Sequence, residues 1–296
     1  MAVLTARGIS SLAVELLTRT MVLPMTVARV PGTDFAGDNG DTVTVRVPQP
    51  STARTQATPG ADITYDDVDE VPVNVTVSHL YHGKLVSAQE LTYSLEDFGR
   101  QITRVQVTAV ANGAENLIAT AMNNLSVDAT IDADGSDVED VILEAREAMS
   151  RANVPLEDRF FAVSPELATY ILRLENLSEV DKAGNSSALR DAVIGRYRGF
   201  TFVESSALTA GTGVAYHRSG FVFANFAPTT PRGVVDTSVT QSGGIALRQI
   251  FQYDPKKLSD ASVVSTFAGA APVAENGTGD DGTAFVRQFK VAVSAS

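Results

Sequence analysis

Thr42-Val43-Thr44-Val45-Arg46-Val47 and Val71-Pro72-Val73-Asn74-Val75-Thr76-Val77 decide how this chain folds. In both stretches apolar and polar residues alternate with period 2, the mark of a strand that buries one face. The turn cluster Gly37-Asp38-Asn39-Gly40-Asp41 opens the first. Between the two, Pro48 to Pro59 is rich in Pro, Ser, Thr and Gln and has no apolar period. The simplest arrangement is a long two-stranded ribbon with a polar tip, within an extended loop over residues 36–92. A lone hairpin is marginal in water. The ribbon must therefore lie on something, and a neighbouring subunit is the expected surface.

Before the ribbon, residues 1–35 read as an arm: a short amphipathic helix carrying Leu12, Val14, Leu16 and Leu17, then an irregular stretch with Pro24 and Pro31-Gly32. Gly8, Ser10, Ser11 and Glu15 interrupt its apolar run, so it does not read as a secretory signal. After the ribbon a long helix is expected over about residues 95–125. Ser94 and Asp97 suggest its capping box, and Leu95, Phe98, Ile102, Val105, Ala109, Leu117, Ala121, Met122 and Leu125 its apolar stripe. Gly113 lies mid-helix and is expected to bend or weaken it.

Ser136-x-x-Glu139 is a second capping box, for a helix with the stripe Val138, Val141, Ile142, Ala145 and Met149. A strand at Arg159–Val163 follows, then a helix begun by Ser164-Pro165 and carrying Leu167, Tyr170, Ile171 and Leu174. Residues 175–190 read as a polar loop. The remainder is mostly β: strands at 199–203, 245–253, 262–267 and 285–293, and a hairpin of 214–217 with 221–226 closed at Arg218-Ser219-Gly220. The fold class is α+β.

Composition narrows the functions. The 296 residues carry a net charge of −12, with 44% hydrophobic and 20% charged residues and no cysteine. Disulfides, zinc–thiolate sites and cysteine nucleophiles are thereby excluded. No apolar run reaches the roughly 18 residues of a membrane-spanning helix. Phosphate backbones are bound by clustered Lys and Arg, and the lysines are only Lys84, Lys182, Lys256, Lys257 and Lys290.

Motifs with a chemical reading are weak. His79-x-x-His82 could share a metal on a helix, but on a strand the two rings face opposite ways. Gly277-Thr-Gly279-Asp-Asp-Gly282 matches a dinucleotide fingerprint in letters only, since Asp280 and Asp281 would repel pyrophosphate and a strand follows. Asp132-Ala-Asp134-Gly-Ser-Asp137 lacks the glycine and the final acid of a calcium loop, and helix capping accounts for it better. No nucleophile–base pair stands out. No catalytic residue, cofactor or metal is expected.

The order of elements resembles the major capsid proteins of tailed bacteriophages, the Hong Kong ninety-seven type fold. Arm, extended loop, spine helix, axial domain and return to a peripheral domain cover nearly the whole chain. Phe35 with Gly40-Asp41-Thr42-Val43 is similar to the loop entry of the Salmonella-phage-like coat subfamily. Arg159 to Pro165, Ile194-Gly195 with Gly199-Phe200, Tyr216-His217-Arg218 before Phe221, and Gly244 to Arg248 through Tyr253-Asp254 are similar to further family phrases.

The resemblance implies an arm over 1–35, an extended loop over 36–92, a peripheral domain over 93–153 and 233–296, and an axial domain over 154–232. It implies a coat subunit, not an enzyme. Such a subunit forms pentamers and hexamers around double-stranded DNA and resides in the virion after assembly in the host bacterial cytoplasm. Expected partners are copies of itself, a scaffolding protein or removed leader, a portal and a decoration protein. Some members cross-link a loop lysine to a neighbour; here only Lys84 lies near, at the loop's base, and no cross-link is expected. Arg46, Arg54, Arg7 and Arg29, on ribbon and arm, are candidate intersubunit contacts, because the guanidinium fork suits a neighbour's carboxylates. An encapsulin-like compartment on the same fold and an unrelated acidic hydrolase are the alternatives.

Overall fold

The computed structural model describes residues 22–30, 41–48, 53–56, 58–60, 62–63, 65, 70–87, 102–174, 195–233, 236–242, 245–273 and 287–294. The element order is α1 (Leu23–Thr26), β1 (Ala28–Val30), β2 (Thr42–Pro48), β3 (Glu70–Thr76), β4 (Ser78–Ser87), α2 (Arg104–Asn123), β5 (Ala129–Ile131), α3 (Val138–Arg151), β6 (Arg159–Val163) and α4 (Pro165–Leu172). It continues with β7 (Arg196–Tyr197), β8 (Phe200–Glu204), β9 (Thr212–His217), β10 (Phe221–Phe226), β11 (Asp236–Ser242), β12 (Ile245–Asp254), β13 (Ser259–Pro272) and β14 (Gln288–Val293).

The ribbon forms in the register its alternation dictates. Val43 stands opposite Val75 and Val45 opposite Val73. Val43, Val73 and Val75 are buried, while Thr44, Arg46, Asn74 and Thr76 face solvent. The buried valines do not wait for a neighbour, however. They pack on Val30, Val222, Ala224, Phe226 and Val273 of the same chain. The expectation that a second subunit must supply the whole supporting surface is corrected for the ribbon's base.

Two six-stranded sheets make the body. In the first, β13 is the long central strand, pairing antiparallel with β10, β12 and β4, while β1 and β11 lie at the sheet's two ends. In the second the order is β5-β14-β9-β6-β8-β7. Helix α2 covers one face of the first sheet through Val107, Val110, Ala111, Ala114, Ile118 and Met122, against Leu247, Val264 and Ala268. Helices α3 and α4 share a core with Phe161, Phe200, Phe202 and Phe289 of the second sheet. In these cores α3 packs with β6 and α4, while β10 pairs with β13.

The long helix is described from residue 102, so the Ser94 and Asp97 cap lies outside the described residues. Its 20 described residues make a rod of about 30 Å. Of the expected stripe, Ile102 and Met122 are buried and Leu117, Ala121 and Leu125 pack on the core, but Val105 is 50% exposed and Ala109 exposed, whereas Gln106 is fully buried. Gln106 can go inside because its amide donates to Ser262 O and its Oε1 accepts from Ser262 Oγ. Gly113 does not interrupt the helix. It lets Leu80 of β4 lie close, with Leu80 Cδ1 at 3.4 Å from where a Cβ would stand.

The α3 stripe is as expected, all five residues buried. Its capping box is not formed: Asp137 occupies the cap position without capping the helix, and its Oδ1 accepts from Asp132 N instead. Glu139 is drawn away by Tyr197 and Arg198. The expected 214–217/221–226 hairpin is also corrected. β9 pairs with β6 and β14, while β10 pairs with β1 and β13. The turn Arg218–Gly220 passes the chain from one sheet to the other. Ser164 caps α4 as expected, its Oγ accepting from Leu167 N.

Candidate assembly surfaces

The ribbon leaves the body at one place. Gly269 of β13 faces the Thr76 carbonyl so closely that a Cβ there would lie 2.3 Å from the oxygen. Only glycine lets ribbon and sheet meet at this distance. Beyond the base the ribbon becomes polar and exposed, yet it displays Ile63 at 58% and Tyr65 at 83% exposure. Large apolar side chains held that far from a core suit contact with another surface.

The four arginines marked in the sequence separate. Arg29 of β1 and Arg46 of β2 are brought together, lining with Val30, Val45 and Val222 a groove of about 290 Å³. Arg46 also stands 3.5 Å from Glu70 of its own ribbon. Exposed pairs of this kind contribute little to stability. Arg54 lies in the exposed stretch 53–56. Arg7 lies outside the described residues.

The arm's foot is fixed by a group that sequence reasoning missed. Glu115, midway along α2, accepts from the backbone N–H of Val22 and Leu23 and from Ser205 Oγ. Leu23 is fully buried, and Thr26 Oγ1 lies 2.5 Å from the Tyr216 hydroxyl. Burial raises the Tyr216 phenol well above its ordinary pKa, so it stays neutral. No spacing rule links Glu115 to residues 22 and 23; only the tertiary fold does.

Histidines 79 and 82 lie on β4. His79 faces away from α2 and packs on Phe267, ring centroids 4.9 Å apart. The carbonyl of His82, on the helix side, accepts from Gln106. Among the described residues no group of three His, Asp or Glu side chains is placed to hold a metal.

A protein-family model described as phage capsid protein matches residues 38–271. The chain belongs to the phage capsid protein family. It is a structural protein of the bacteriophage virion, a subunit of the capsid shell. No curated protein sequence matches it. Solved structures share the fold at low identity. One from Mycobacterium phage Che8 is 22% identical, covers 90% of this chain and 89% of its own, and has a TM-score of 0.59. The capsid of cyanophage P-SCSP1u is 11% identical, with 93% and 89% covered and a TM-score of 0.62. A virus-like particle from Pyrococcus furiosus is 12% identical, with 95% and 96% covered and a TM-score of 0.52. The mixed α+β architecture is thus that of phage capsid proteins.

Proposed function

We propose that this capsid protein assembles into pentamers and hexamers that close an icosahedral head around double-stranded phage DNA. The observation that carries this is the ribbon: anchored on its own sheet at the base, it presents Ile63 and Tyr65 exposed, outside the described cores. A second subunit is the surface such residues fit. Residues 154–232 are the axial domain, with 175–190 near the capsomer centre, and residues 93–153 and 233–296 are the peripheral domain. Arg46, Arg54, Arg7 and Arg29 are intersubunit contacts on this reading, and a scaffolding protein, a portal and a decoration protein complete the assembly in the host cytoplasm. The subfamily is that of Salmonella-phage-like coats. Many modest contacts, each burying apolar surface, close such a shell.

The acidic balance of −12 favours a wall that stays soluble and does not cling to packaged nucleic acid. Expression followed by negative-stain electron microscopy tests the reading. Closed shells, capsomers or tubes are expected. Deleting residues 50–62 should leave the subunit folded and impair assembly. A subunit that stays monomeric under all salt and crowding conditions, or one that the deletion unfolds, overturns it.

A further inference from the structure

Cations gather at the turn that passes the chain from the second sheet to the first. His217 ends β9 and Arg218, Ser219 and Gly220 make the turn. Arg287, just before β14, stands against it: its Nη1 donates to Ser219 Oγ at 3.0 Å and its carbonyl accepts from His217 N. Arg159 lies opposite His217 in the register of β6 with β9, which puts the two side chains on one face.

These charges are poorly cancelled. Arg159 is buried, and its guanidinium donates to Pro155 O, Val154 O and Ser150 Oγ, all neutral acceptors. Low-dielectric surroundings screen such a charge weakly. Arg218, 41% exposed, has its Nη1 3.7 Å from Asp158 Oδ2, too far for a hydrogen bond. Arg287, Arg159 and Arg218 all act on the His217 ring to keep it neutral, and Asp158 opposes them. Three cations against one carboxylate leave a local surplus of positive charge in a chain whose net charge is −12. The turn also supplies polar hydrogens. Ser219 N donates to His217 Nδ1, and Ser219 Oγ, which accepts from Arg287, lies 2.8 Å from the same nitrogen. The proton of the neutral ring is therefore on Nε2, a further donor.

We propose that this turn binds a phosphate group, held by the guanidinium groups of Arg218 and Arg287 over the buried charge of Arg159. Guanidinium forks match phosphate oxygens in geometry as well as in charge. Free phosphate and a phosphodiester of duplex DNA share this chemistry. A metal cation would be repelled by the same surplus. The site belongs to the single subunit and goes beyond the shell reading, so it needs no assembly to form. One such cluster gives one modest contact per subunit, which agrees with a chain that carries no broad basic face.

The full chain, dispersed as subunits, is melted in inorganic phosphate and in chloride at matched ionic strength. Phosphate at about 100 times its dissociation constant should raise the melting temperature by about 5 °C or more. Arg218→Gln with Arg287→Gln should abolish the rise, and Lys256→Gln, an exposed cation on the turn between β12 and β13, should keep it. The chain has three histidines, so proton NMR of their rings gives a local reading, with His217→Asn assigning the signal. A bound anion favours the imidazolium, so phosphate should move the His217 titration to higher pH and leave the other two histidine signals in place. Should the double variant fail to fold, the His217 signal of the unaltered chain decides alone. A fluorescent DNA duplex separates the sources. Anisotropy that rises with the wild type, needs about ten-fold more of the double variant and is reversed by inorganic phosphate supports the site with a phosphodiester as its ligand. No rise, with the phosphate effects present, supports it with free phosphate. A wild type that phosphate does not stabilise, an equal rise in the double variant, or a His217 titration that phosphate leaves unmoved overturns the proposal.

Discussion

Replacing Gly269 by alanine tests the geometry that launches the ribbon. The new Cβ would stand 2.3 Å from Thr76 O, 3.0 Å from Thr76 C and 3.1 Å from Val75 Cγ1. Ordinary contact begins about 1 Å farther out than that first distance. The obstructing atom is backbone, so no rotamer change relieves it. β13 is held on its other side by pairing of Gly269 with Ala224, so the junction between β3 and β4 must give way. Overpacking of this kind costs about 1–3 kcal/mol. At about 2 kcal/mol, the melting temperature of the unassembled subunit falls by about 4–8 °C. Gly113→Ala is the control. Its Cβ meets Leu80 Cδ1 at 3.4 Å, ordinary contact, and alanine is better than glycine in a helix by about 1 kcal/mol. That variant should melt at or above the wild type. Calorimetry on dispersed subunits reads both. A Gly269→Ala subunit melting within about 1 °C of wild type, or a Gly113→Ala subunit melting well below it, refutes the reasoning. The shift at the ribbon's base is magnified at its tip, so Gly269→Ala should also close fewer shells by electron microscopy.

Removing the Glu115 carboxylate with Glu115→Ala strands the N–H groups of Val22 and Leu23 and the Ser205 hydroxyl. A loss of about 2 kcal/mol follows, visible as faster proteolysis near residue 22, and an unchanged cleavage rate would speak against the clasp. His217 has its pKa lowered by burial first and by Arg287 next, and its Nδ1 accepts from Ser219 N. The neutral ring is the form the fold prefers, so its contribution to stability is present above the ordinary histidine value near 6.5 and is lost as pH falls below it. His79, lowered by burial and then by Arg248, acts in the same direction. Melting temperature should therefore drop from pH 7 to pH 5, less steeply in His217→Asn; an identical slope in that variant sinks the assignment.

What could be read in the sequence is what buries one face only. β2 and β3 alternate against water, and the α3 stripe faces one core, so their periods survive intact. β4 was not separable from the ribbon because it is apolar on both sides: Leu80 and Val86 turn to the helix side, Tyr81 and Leu85 to the opposite face. β9 is buried nearly throughout, so its lack of alternation gave no sign that it joins a different sheet from β10. The α2 stripe failed near its start because the rule counts Val105 as core and Gln106 as surface, and the Ser262 partner that reverses this lies 156 residues away. Of the assembly surfaces, the arginines were visible as charges on the ribbon and arm.

The arrangement also explains how a chain with two cores can act as one building block. The cores touch along β9 and α2: Val214 and Tyr216 from the second sheet pack with Ile118 of α2 and with Phe221 and Phe223 of the first sheet. Tyr216 and Phe221 meet edge to face, centroids 5.3 Å apart, across the short turn that joins the sheets. Tyr216 also holds the arm's foot through Thr26, while Glu115 holds it from the helix. The foot, the helix and both sheets therefore share one buried junction, and a displacement of any of them disturbs packing in the others. Lys290 reinforces this from the far end of the helix, its Nζ donating to the carbonyls of Asn123 and Leu125. The first is a carbonyl that the helix terminus leaves without a partner in the helix. The body is consequently stiff where it must keep angles between neighbours.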